Sequence, residues 1–81
     1  MRFFFNLAGA VYDPDNEGLE LESVSDARKI AVRSAAEFIR DRPEAVWHGD
    51  ELRVEVTDEN QLLLFTLVVL GVDSPAASSL T

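Results

Sequence analysis

Residues Asp13 to Gly18 read DPDNEG, with three carboxylates and one amide in six positions, closed by a glycine. Counted as a calcium loop, Asp13, Asp15 and Glu17 take positions one, three and five. Gly18 takes position six, where the sharp turn of such a loop needs a glycine. Position twelve should be a bidentate glutamate and is Val24, and the preceding segment reads as a strand where the loop needs a helix. Asp, Pro, Asn and Gly are also the residues that a tight turn selects. The spacing therefore predicts a structural turn holding no metal ion.

Other chemistry has less to start from. His48 is the single histidine, without the cluster that zinc or an acid-base pair requires, and reads as a loop residue. Trp47 beside it reads as a cap on the edge of the core. No serine lies in a Gly-x-Ser-x-Gly context, and cysteine is absent, so nucleophilic catalysis has no visible origin. The expectation is a protein that is not an enzyme and carries no cofactor.

These residues must be positioned by a small set of elements. Arg2 to Leu7 alternates, with Phe3, Phe5 and Leu7 on one face and Arg2, Phe4 and Asn6 on the other, which predicts a first strand. Leu19 to Glu22 alternates again and predicts a short second strand beside it. Ser25 stands where a helix cap belongs, and a helix is expected from about Asp26 to Arg42, stopped by Pro43. Its apolar stripe is Val24, Ala27, Ala31, Ala35 and Phe38, widened by Ile30, Val32 and Ile39, with Lys29, Arg33 and Arg40 opposite as a solvated face.

Leu52 to Thr57 has the cleanest alternation in the chain and predicts a third strand. Asp58 to Gln61 is its turn, with Asn60 the residue best suited to a left-handed conformation. Leu62 to Leu70 is the last strand, apolar on both faces, a pattern that suits a central strand or an interface. The order strand, strand, helix, strand, strand predicts an α+β domain over residues 1–72. One helix covers one face of an antiparallel-rich four-stranded sheet, and residues 73–81 form a disordered tail.

The chain has 81 residues, 47% of them apolar, and carries seven Lys and Arg against fifteen Asp and Glu, a net charge of −8. That balance disfavours nucleic acid and phospholipid surfaces as partners. Without cysteine there is no disulfide, and a cytoplasmic protein is expected. The opening MRFFFNLAGA is too short, and broken at Asn6, for a secretory leader, while the apolar run Leu62 to Val72 is shorter than the roughly 20 residues of a membrane-spanning helix.

Several short features stand in a particular order: Phe3-Phe4-Phe5-Asn6, Asp15-x-x-Gly18-x-Glu20-Leu21, the alanine-rich helix, Trp47, and Val54-Glu55-Val56-Thr57-Asp58-Glu59. In that order and spacing, over residues 2–70, the chain resembles a family of short uncharacterised bacterial proteins grouped as a domain of unknown function, the DUF6894 type. Such proteins often have a glycine after the Asp-Glu turn, where this chain has Asn60. They often have a proline soon after the final leucines, where this chain continues as Val68-Val69-Leu70. The resemblance supports the fold and implies no activity.

The helix can cover only one face of the sheet. Phe4, Leu62, Leu64, Val68 and Leu70 are therefore expected to form an interface, joining a homodimer through the open sheet face or the last strand. Which alternating set of the last strand faces the helix is left open by the pattern. The alternative expectation is a small-ligand or cation-binding protein that uses Asp13 to Gly18.

Overall fold

The computed structural model describes every residue except His48 and Thr81. Its first strand, β1 (Arg2–Gly9), pairs antiparallel with a two-residue strand, β2 (Leu19–Glu20), and the helix α1 (Val24–Asp41) follows. Two further strands, β3 (Leu52–Thr57) and β4 (Leu63–Val69), complete one four-stranded sheet in the order β2-β1-β3-β4, with every neighbouring pair antiparallel. This is the α+β architecture that the alternating and helical patterns predict.

Facing residues in an antiparallel ladder share a side of the sheet. Phe5 faces Val56, Leu7 faces Val54 and Gly9 faces Leu52, and across the next ladder Val54 faces Leu67 and Leu52 faces Val69. That side is the core. Leu52, Val54 and Val56 are fully buried, together with Phe3 from β1, Ala27, Ala31 and Ala35 from α1, and Val46. The three alanines lie at i, i+4 and i+8, so one stripe of α1 lacks bulk and the helix settles close to β3. No polar or charged side chain is buried among the described residues.

Four local expectations are corrected. The helix begins at Val24, and its cap is Ser23, whose hydroxyl accepts from the Asp26 N–H at 3.1 Å; Ser25 is already helical. Val32, expected in the apolar stripe, is 56% exposed, because it sits one residue, about 100°, round from Ala31. In the Asp58–Gln61 turn the left-handed residue is Gln61, with φ of 64°, instead of Asn60. The carboxylate of Asp58 accepts from the N–H groups of both Asn60 and Leu62, and the Gln61 N–H donates to the Asp58 carbonyl, so the reversal of backbone hand falls on the residue before the strand resumes.

The fourth correction concerns the alternation of β4, a strand whose double apolar pattern suited a central position or an interface and which lies at an edge of the sheet. That alternation is interrupted. Val56 faces Phe65 but Thr57 faces Leu63, so Leu64 is an extra, bulged residue and packs against the core cluster beside Phe65. Of residues 73–81, expected to be a disordered tail, the described part, 73–80, includes one helical turn, α2 (Pro75–Ser78), opened by its proline and burying no residue.

A left-handed backbone costs a non-glycine residue about 1–2 kcal/mol, of which the flexibility of an unfolded glycine returns part. Gln61→Gly is therefore expected to stabilise the domain by about 1 kcal/mol, a rise in Tm of about 4–8 °C by calorimetry. A lower Tm would show that the Gln61 side chain contributes more than its backbone costs.

Candidate functional site

The acidic turn lies along the outer edge of β1. β2 reaches only Arg2 and Phe3, and further along the strand an isolated bridge joins Leu7 to Asp13, each N–H donating to the other's carbonyl at 3.0 Å. Between these two points the Phe5 N–H has no strand beside it. The Asp15 carboxylate takes that place, accepting from Phe5 through Oδ2 at 3.1 Å while Oδ1 accepts from the Glu17 and Gly18 N–H groups at 3.0 and 3.1 Å.

Neighbouring groups hold this carboxylate in position. The Asp15 N–H donates to Asn6 Oδ1 at 2.9 Å, and Asn6 Nδ2 donates in turn to the Glu55 carbonyl at 3.1 Å. Arg2 donates to the Glu17 carbonyl at 2.7 Å. Gly18, at φ of 73°, adopts a conformation that side chains resist, and a Cβ there would lie 3.0 Å from the Phe3 carbonyl oxygen. The residues that resemble a calcium loop by count are thus arranged as a clasp on a strand edge. Asn6 enters the sequence pattern as part of the Phe3-Phe4-Phe5-Asn6 motif without a bonding role, because the alternation of β1 marks only which side of the sheet it occupies.

Partial burial tends to raise the Asp15 pKa, but the N–H groups of Gly18, Phe5 and Glu17 and the charge of Arg2 outweigh it. The result is a pKa below the ordinary 3.8.

Beneath the turn is a cleft of about 530 Å³, between β1 and the C-terminal half of α1. Phe5, Leu7 and Phe38 form its apolar part, and Asp13, Glu17, Glu37 and Asp41 place carboxylates around it. No group of three or more His, Asp or Glu among the described residues is arranged to hold a metal ion. A second cleft, of about 500 Å³, lies on the opposite side of the turn against Phe4, Tyr12 and the Asp58–Gln61 turn.

The interface expected on the open sheet face is divided. Phe4, Asn6 and Ala8 of β1 face Thr57, Glu55 and Arg53, and across β3 these face Leu63, Thr66 and Val68. Arg53 bonds Glu51 at 2.5 Å and Glu55 at 3.1 Å, so a line of charge runs between the apolar residues of β1 and those of β4. Donation to Glu51, then to Glu55, raises the Arg53 pKa, and the bond from Arg53 lowers that of Glu51. Their spacing of two residues on a strand was the available signal for this triad.

Of the expected interface residues, Phe4 is half-buried, its ring beside Gly18, and Leu64 packs on the core. Leu62, Val68 and Leu70 are exposed, as is Leu63, which the bulge brings to the open face. Trp47 is 52% exposed and lies on Gly71, where a Cβ would come within 2.6 Å of its ring. His48 is outside the described residues, and Lys29, Arg33 and Arg40 are solvent-facing on α1.

Residues 2–70 match the family described as Domain of unknown function (DUF6894). The chain belongs to that family. No curated protein and no solved structure matches it. No helix among the described residues of this family member is long and apolar enough to cross a membrane.

Asp15→Asn replaces one accepting oxygen with a donor, leaving an N–H of Phe5 or of the turn unpaired, at a cost of about 1–3 kcal/mol. The sign of the pH effect follows from the lowered pKa. The carboxylate's contribution is complete above its unfolded value and is lost as pH falls through the lower folded value. Acid melts of the natural chain and of Asp15→Asn should therefore differ most above pH 4 and converge below it. A constant difference at all pH values would exclude a role for the charge.

Proposed function

We propose that this domain is a non-catalytic interaction module that pairs with a second copy of itself along β4. The observation that carries the reading is the state of that edge. β4 offers seven residues, Leu63–Val69, with no charged residue or proline, and it is the outermost strand of the sheet. An unpaired strand edge of this kind is a template for another strand; soluble proteins ordinarily blunt it with charge, proline or a bulge, and β4 has only the bulge at Leu64. The open sheet face is the weaker alternative, since stacking it would desolvate the Glu51–Arg53–Glu55 triad. The acidic balance and lack of cysteine suit a cytoplasmic protein that avoids nucleic acid and membranes.

In antiparallel pairing about Thr66, the middle residue of β4, the two copies of that side chain lie close together. Thr66→Lys then brings two like charges together across the pair, whereas within one chain the new ammonium faces Glu55. The unmodified 9.0 kDa chain is expected to sediment at twice its mass at high micromolar concentration, and Thr66→Lys as a folded monomer. A monomeric natural chain under those conditions would overturn the proposal.

A second reading, a cation-binding protein, starts from the carboxylates around the 530 Å³ cleft, although no three of them among the described residues are arranged to hold one ion. The primary reading expects no change of Tm with submillimolar calcium. A ligand present at a hundred times its dissociation constant adds about 2.7 kcal/mol, so binding would raise Tm by several degrees. Such a rise, abolished by Asp13→Asn together with Glu17→Gln, would favour the cation reading.

A further inference from the structure

We infer that the surface joining two copies has two layers, with the Val32 flank of α1 facing the partner's helix across the paired β4 strands; this rests on the self-association proposed above. Strand pairing alone is small. Seven residues span about 23 Å, and a sheet edge about 10 Å thick gives a footprint near 230 Å² per partner, whereas stable interfaces bury about 800 Å² per partner. The remaining contact must come from side chains beside the strand.

The helix supplies an unfinished flank in that place. Ala31 points at the sheet, and Ser34, Glu37 and Asp41 lie on the flank lining the cleft beneath the acidic turn, beside β1. Val32 is about 100° from Ala31 in the other direction, on the flank toward β4. It is 56% exposed, and below this flank Phe65, Leu67 and Val69 on the core side of β4 are only partly buried. Val32 thus projects, beside the exposed Arg28, on the side of the helix where the described sheet ends at an incompletely covered strand.

Pairing geometry places a second copy of the same surface opposite. Antiparallel strands of one sheet are related by a twofold axis perpendicular to it, so both helices lie on one face of the joined sheet. With α1 over β3, the helix axes are separated by about three strand spacings, about 14 Å, and helices about 10 Å across leave a gap that side chains can fill. Val32 and its counterpart enter that gap with the half-covered residues of β4. Stacking through the open faces would instead put the helices on opposite outer surfaces, about 30 Å apart.

The absence of cysteine permits single nitroxide labels on the full chain at Val32→Cys, Ala36→Cys and Glu37→Cys, with folding checked by circular dichroism and mass by sedimentation. Electron spin resonance at high micromolar concentration should give a separation between copies within about 20 Å at position 32, shorter than that at position 37, which lies about 140° round the helix. Position 36, about 40° from Val32, serves as a second probe of the same flank if the Val32 label prevents folding. Separations near 30 Å or more, equal at both flanks, with a dimeric mass would overturn this inference and leave self-association standing. A monomeric mass with no coupling between labels would overturn both.

Discussion

The backbone N–H of Phe5 sets the terms for one side of this molecule. β1 is a central strand whose outer neighbour is only two residues long, so most of that edge lies beyond any true β-ladder. A buried or half-buried amide without an acceptor is costly, and the chain has one short segment, between β2 and the Leu7–Asp13 bridge, in which to provide one. Asp15 provides it with an ionised oxygen, which forms a stronger bond than a neutral carbonyl. The second oxygen gathers the turn that delivers the residue, so a single side chain closes both the strand edge and the loop. This explains the composition of DPDNEG without a bound ion: its middle aspartate is an acceptor for backbone, and its glycine makes the return possible.

On the other side of α1, the small residues that make close packing possible also determine what remains uncovered. Ala27, Ala31 and Ala35 let the helix approach β3 so closely that Leu52, Val54 and Val56 are lost from solvent entirely. Alanines have no reach, however, and cannot extend sideways over β4. The half-covered residues Phe65, Leu67 and Val69 follow from that choice. Helix coverage is concentrated at the sheet's centre, and the apolar surplus is displaced to one edge.

The fold was legible wherever a period had only one solution. β3 alternates with polar residues on the solvent side and β1 does so at Arg2 and Asn6, and a shift of register would bury charge, so both their existence and their faces could be read. β4 has leucine, phenylalanine or valine on both sides, and such a sequence fits a central strand or an edge equally well; only the pairing decides. The bulge at Leu64 was hidden for the same reason, since moving one leucine between faces violates no pattern. Ser23, the residue whose hydroxyl accepts from Asp26, stands only two positions before Ser25 and has the same capping chemistry, so the pattern alone does not separate them. The acidic turn was readable as a turn, but its acceptor role was not, because Phe5 and Asp15 are joined only by the tertiary arrangement.

The contrast between the two edges bears on why β4 is bare. Charged side chains make up 27% of the chain, and none occurs from Leu62 to Val72. One lysine at an outward position would protect the strand at little cost, since the opposing residues on β3 include Glu55, already engaged at the surface. The β1 edge, by contrast, is closed by a dedicated loop and several directed hydrogen bonds. A chain that closes one edge in this manner and leaves the other uncharged fits the pairing proposed above. Under that pairing, a second copy added at β4 would place the clasped β1 sides outward. In such a pair the device that satisfies Phe5 would also shield the outer side of β1, unlike a sheet open at both sides.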